Sequence, residues 1–306
     1  MAKLATFLLA SFAVLLALAA PSLAGDPDML QDTCVADYKS LQGPLRLNGF
    51  PCKRPENVTA DDFSSNVLAS PGNTGNAVGS AVTAANVEKL PGLNTLGVSM
   101  SRIDFAPWGV NPPHTHPRAT EMILVVEGSL DVGFVTTANK LVARTVCKGE
   151  AFVFPRGLVH YQRNNANSPA VVISAFNSQL PGTQSVAETL FGASPAVPSD
   201  VLARSFQIDG GLVEGIKSKF PPKLMSRTVS KGEVFVFPRG LVHYQRSVGE
   251  AAAVAVSAFN SQLPGTQAVA AALFGAAPAV PSDVLARAFQ VDGGVVESIK
   301  AKFPPK

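Results

Sequence analysis

Between residues 96 and 176 apolar and polar positions alternate in short runs broken by Gly, Pro and Asn. Side chains two apart on a strand share a face, so this alternation marks strands with one side turned to a core. The runs fall at 96–105, 121–127, 129–136, 140–146, 151–155, 158–163 and 169–176. Short strands at a spacing of about ten residues predict an all-β fold, a sandwich or jelly-roll barrel. Residues 64–85, rich in Ser, Gly, Asn and Ala, read as loops around short strands. After Asn177 the period changes. The stretches 183–191, 201–206 and 212–220 each follow a Thr, Ser or Asp suited to a helix cap and then carry a periodic apolar run. They predict a short helical tail that serves packing or subunit contact.

The pattern then repeats. Residues 141–223 recur without a gap as 224–306, with about three-quarters of the positions identical, far beyond chance self-similarity. The copy holds the back half of the predicted barrel and the helical tail. His243 matches His160, Ser247 stands at the position of Asn164, and Ser230 at that of Cys147. Either copy could complete the barrel. The first is joined through a short turn at 137–139, whereas the second must close a much longer loop at an entropic cost. The expectation is that 141–223 fills the barrel, while 224–306 is appended, partly folded or swapped into another subunit.

Residues 1–24 carry one charge, Lys3, then an apolar run to Ala20, with Ser22 and Ala24 at small-residue cleavage positions. This reads as a secretory signal peptide, and the run is short for a membrane anchor. Residues 25–63 then form an N-terminal arm, 64–223 the barrel domain, and 224–306 the partial repeat. Charged residues make up only 15% of the chain and the net charge is +3, without a basic cluster, so no nucleic-acid partner is expected and no membrane partner. Of three cysteines, Cys34 and Cys52 lie in the arm. In an oxidising compartment they are expected to pair and restrain it. Cys147 is left over and is expected to be a buried, inert thiol. Asn57-Val58-Thr59 is a glycosylation sequon.

The candidate chemistry lies in His114-Thr115-His116-Pro117-Arg118-Ala119-Thr120-Glu121. His114 and His116 share a strand face, Pro117 breaks the strand, and Glu121 opens the next. His160 follows a later strand and turn. Three of the four histidines in the chain fall in this pattern. Three imidazoles and one carboxylate, with no thiolate, suit manganese or iron, with zinc, nickel or copper possible. Two positions of an octahedron stay open for water or a small anionic substrate.

The stretch 109–121 followed by Gly128 resembles the first cupin motif, and 149–155 with Gly157, His160 and Asn164 resembles the second. Asn-Pro-Pro-His-Thr-His-Pro-Arg-Ala-Thr-Glu and Phe-Pro-Arg-Gly-Leu-Val-His resemble the germin and germin-like branch, over about residues 25–223. The resemblance implies a cupin jelly-roll barrel that binds manganese through His114, His116, Glu121 and His160, with a Cys34–Cys52 disulfide. It also implies a homo-oligomer, a hexamer built through the tail helices, in the plant apoplast. The implied activity is of the superoxide dismutase type, with a role in defence. Oxalate oxidation, as in true germins, is the alternative. Asn111 matches one of two substrate-orienting asparagines, but the other position is Ser101, and Trp108 replaces a glycine and is expected to set a bulky ring next to the site. Both departures favour dismutase. A non-enzymatic wall protein that keeps the metal for stability is the third reading.

Overall fold

The computed structural model describes residues 31–39, 49–220, 230, 235–250 and 252–304; the signal-peptide reading of 1–24 lies outside them. Ten strands stand among these residues: β1 Ser80–Ala85, β2 Ser99–Phe105, β3 Val110–Thr115, β4 Glu121–Glu127, β5 Ser129–Val135, β6 Leu141–Cys147, β7 Ala151–Phe154, β8 His160–Arg163, β9 Ala170–Phe176 and β10 Gln184–Ser185. They form two five-stranded sheets, β1-β2-β9-β4-β7 and β10-β3-β8-β5-β6. Every pairing between named strands is antiparallel. This is the expected all-β jelly roll with few helices. The predicted strand at 96–105 begins only at Ser99, and the predicted helix at 183–191 opens instead with the two residues of β10, which pair with Thr115 and His114.

Alternation along β4 shows how the sequence sets the sheet's two faces. Ile123 and Val125 are buried between the sheets with Ile103, Phe105, Leu130, Val132, Phe154 and Val172. Met122, Leu124 and Val126 point outward and are about half exposed. The same alternation corrects the reading of Cys147. Val146 takes the inward position on β6, so its neighbour Cys147 faces outward and is an exposed free thiol. In the arm, Cys34 and Cys52 are joined by a disulfide beside the isolated bridge between Ala36 and Cys52.

Both sheets are completed by strands of the first copy. The second copy carries Phe235-Val236-Phe237-Pro238-Arg239-Gly240-Leu241-Val242-His243-Tyr244-Gln245-Arg246, almost the same residues that build β7 and β8, yet the described residues between 235 and 267 form no strand. The reason lies in the ladder. β7 already pairs with β4, β8 lies between β3 and β5, and β9 lies between β2 and β4. Among the described residues, the strand edges that copies of β7, β8 and β9 would need on β4, β3, β5 and β2 are already taken. Strand formation here follows from available partners rather than intrinsic preference.

The helices are present in both copies: α1 Val186–Phe191, α2 Ser199–Phe206 and α3 Gly210–Lys217, then α4 Val269–Phe274, α5 Ser282–Phe289 and α6 Gly293–Lys300. Asp209 caps α3 by accepting from the Leu212 amide, and Asp292 caps α6 by accepting from Val295. The six helices form a second core against Val110, Val135, Leu141, Val159 and Tyr161 of the barrel. α5 and α1 both lie against β3. One sheet face thus packs on the other sheet, and the opposite face of β3-β8-β5 is covered by helices.

Ile123→Ala should cost about 2–5 kcal/mol by opening a cavity between the sheets. Met122→Ala on the outer face should change stability by no more than about 0.5 kcal/mol. Denaturant unfolding of the two variants checks the assignment of faces.

Candidate metal centre

The site is built where β3, β8 and β4 converge. Pro112 and Pro113 lack the amide hydrogens that a ladder needs, and the β3–β8 register slips between Asn111 and His114. Pairing resumes with His114 directly opposite His160. Their rings lie 4.2 Å apart, and the His114 and His116 rings 5.1 Å apart. Glu121, at the start of β4, reaches the same point from the other sheet. The one-per-residue ligand atoms of His114, His116, Glu121 and His160 all lie within 4.8 Å of one another, and all four residues are buried.

Each imidazole is held from behind by a main-chain carbonyl. His114 Nδ1 is 2.7 Å from the Pro112 oxygen, His116 Nδ1 is 2.6 Å from the Gly182 oxygen, and His160 Nδ1 is 2.9 Å from the Leu158 oxygen. A carbonyl can only accept, so the proton is assigned to Nδ1 in each ring. In the neutral ring the Nε2 lone pair then faces the cluster. His116 Nε2 and His160 Nε2 lie 3.1 Å and 3.0 Å from Glu121 Oε2. Lone pairs this close repel unless a proton or a cation lies between them. Carbonyl-anchored imidazoles with inward Nε2 atoms are the arrangement that orients histidine ligands. The residues therefore fit a divalent metal ion.

The other side of the carboxylate is also held. Glu121 Oε1 accepts from Ser174 Oγ at 2.7 Å and from Gln162 Nε2 at 3.2 Å. Gln162 Oε1 in turn accepts from Asn111 Nδ2 at 2.7 Å. Gln162 and Ser174 are both fully buried. Sequence reasoning missed both. Gln162 was within reach, because it stands two residues after His160 and so shares its strand face. Ser174 sits on β9 opposite Ile123, and no local pattern marks it. Phe154 stacks on His160 at 4.4 Å and Phe176 meets His116 edge-on at 4.8 Å, so apolar rings wall the cluster.

Burial, and then the neighbouring His160 and His116, hold His114 well below its ordinary 6.5, so that ring is neutral at physiological pH. Burial pushes Glu121 upward, but the His116 and His160 rings, which donate to it only when Nε2 carries a proton, outweigh burial and hold the carboxyl well below 4.5. A neutral nitrogen donor and an ionised oxygen donor are the forms that bind a metal.

The remaining candidates lie elsewhere. Asn57 is exposed, as a glycosylation acceptor requires. Ser101 is buried on β2, and its hydroxyl lacks a hydrogen-bond partner. Trp108, expected next to the site, stands in the β2–β3 turn, outside the strand that carries His114. Its half-exposed ring donates to Asn167 Oδ1. The bulky side chain therefore does not crowd the cluster. His243, the counterpart of His160, is exposed and stacks on Phe237 at 4.2 Å, outside the cluster.

A jelly roll that gathers three imidazoles and one carboxylate from β3 and the residue after it, β4 and β8 defines the class, and residues 66–214 and again 211–297 match the Cupin family. Germin-like protein 1-3 of Oryza sativa subsp. japonica is 77% identical over 222 residues, covering 72% of this chain and 100% of that protein. Nectarin-1 of Nicotiana langsdorffii x Nicotiana sanderae is 66% identical over 199 residues, covering 65% of this chain and 85% of its own. A recombinant oxalate oxidase solved in complex with glycolate has a TM-score of 0.61 at 48% identity, covering 64% of this chain and 98% of its own. The chain belongs to the germin-like cupins.

Gln162→Ala should lower metal affinity about 10–100-fold, because it frees the ligand carboxylate on its outer side. His243→Ala should leave affinity unchanged, and competition with a chelator measures both.

Acid should weaken the site in a defined order. The unfolded chain takes up a proton at His114 below 6.5 while the folded chain resists it, so stability is lost as pH falls from that value. The stabilisation from Glu121 is complete above 4.5 and is lost below it. Thermal unfolding of the metal-free protein should therefore show Tm declining first below 6.5 and again below 4.5.

Proposed function

We propose that this chain is a secreted, manganese-dependent germin-like protein of the plant apoplast, with superoxide dismutase type activity and a role in defence. The observation that carries this reading is a compact nitrogen and oxygen ligand set whose neighbouring amides, Asn111 and Gln162, are already engaged with each other and with Glu121. Asn111 donates to Gln162, and Ser101 offers only a short hydroxyl at the second orienting position. Oxalate needs donors for both carboxylates, whereas superoxide is a small anion that needs a redox-active ion and an open position.

Manganese, when bound, supplies one-electron cycling between two oxidation states. The chain's own residues do the rest. Gln162 and Ser174 hold the Glu121 carboxylate in one orientation, and the three carbonyls fix the imidazole tautomers. Phe154 and Phe176 limit the water around the ligands. Two superoxide ions and two protons become dioxygen and hydrogen peroxide, so no covalent intermediate on the protein is needed. Secretion is supported by the apolar, cleavable start of the chain and the Cys34–Cys52 disulfide, and the exposed Asn57 sequon is then usable. Among the described residues no helix is long and apolar enough to cross a membrane.

Oxalate oxidase is the second reading, favoured by the likeness to the solved oxalate oxidase. Turnover on the secreted, manganese-loaded protein separates them. The expected outcome is superoxide removal that falls to the uncatalysed rate in His160→Ala, without peroxide formation from oxalate. Peroxide from oxalate would overturn the dismutase reading. Full metal loading without either turnover would leave the metal a stabilising role alone.

A further inference from the structure

The contacts between the two copies, made by the helical tails and the segments just before them, come in reciprocal pairs. Arg163 pairs with Asp283 at 2.5 Å, and their counterparts in the other copy, Arg246 and Asp200, pair at 2.6 Å. The Lys219 amine donates to the Gln290 carbonyl, and its counterpart Lys302 donates to the carbonyl of Gln207, the counterpart of Gln290. Phe191 meets Phe289 at 5.8 Å and 90°, while Phe274, the counterpart of Phe191, meets Phe206 at 5.9 Å and 88°. Phe206 and Phe289 occupy equivalent positions and face each other at 5.8 Å. Leu202 and Leu285, like Ile216 and Ile299, are buried as matched pairs in the shared core.

A contact of residue i with j, mirrored by j with i, is the signature of a two-fold, self-complementary interface. Two unrelated surfaces joined within one chain have no reason to show it. We propose that the face of α1–α3 is built to seat a second copy of itself, and that α4–α6 takes that seat in cis. The tail repeat is thus an internal stand-in for a partner subunit. It closes the surface through which the expected homo-oligomer would assemble, and this chain does not associate through its tails. Other faces of the barrel are unaffected, and the inference does not depend on which reaction the metal centre carries out.

Two measurements on the full mature chain test this. Leu285→Asp with Phe289→Asp places carboxylates in the shared core from the second tail only and leaves α1–α3 unchanged. Released from its stand-in, that face should recruit another molecule, so the mass by sedimentation velocity should double relative to wild type. Adding Leu202→Asp and Phe206→Asp should abolish the doubling. An unchanged mass in the first variant overturns the proposal. The second measurement needs no substitution. Light and heavy isotope-labelled chains are refolded together and treated with a lysine-reactive cross-linker. Links from Lys217 and Lys219 to Lys300 and Lys302 should join peptides of the same label only. Mixed-label links at these positions would mean that the second tail is exchanged between molecules, and would overturn closure in cis.

Discussion

The carboxylate of Glu121 is the constraint on which the site depends. One oxygen faces the Nε2 atoms of His116 and His160, and the other is held by Ser174 and Gln162. That single side chain ties β4 and β9 of one sheet to β8 of the other at the point where the sheets meet. Buried without a counter-charge it would be costly, and buried among neutral imidazoles it calls for a cation. The three carbonyl-anchored rings show that the surrounding backbone is shaped to the same end.

The ligands His114, His116 and Glu121 were legible because they lie within eight residues and their geometry is local: strand alternation, a proline break, a second strand. His160 was legible through its own motif. Gln162 could have been found by the same alternation, whereas Ser174 joins the site through a long-range pairing that local pattern does not contain. Trp108 was misplaced because its position near the motif in sequence is not proximity in space; β3 carries the chain away from it. Cys147 was misjudged because β6 shows no clean alternation: Val142 to Thr145 are all exposed before Val146 is buried, so the local pattern did not mark the outward side of the thiol.

The repeat separates what sequence specifies from what context supplies. Nearly identical helical segments fold alike in both copies, since capping and apolar period are local. Nearly identical strand segments do not, since a strand needs a neighbour and the barrel has one place for each. Chain order settles which copy takes the place, because the first copy follows β5 through a short turn. The reciprocal seating of the tails could not be read from two similar sequences, which say what each helix is but not which face it offers the other.

One metal ion should sit among His114 and His116 at the end of β3, Glu121 of β4 and His160 of the first copy's β8. Anomalous diffraction at the manganese edge from crystals of the metal-loaded protein locates it. One peak per chain is expected, bounded by the Nε2 atoms of His114, His116 and His160 and by Glu121 Oε2. A peak bounded by His243 in place of His160, or none within this cluster, would contradict that placement.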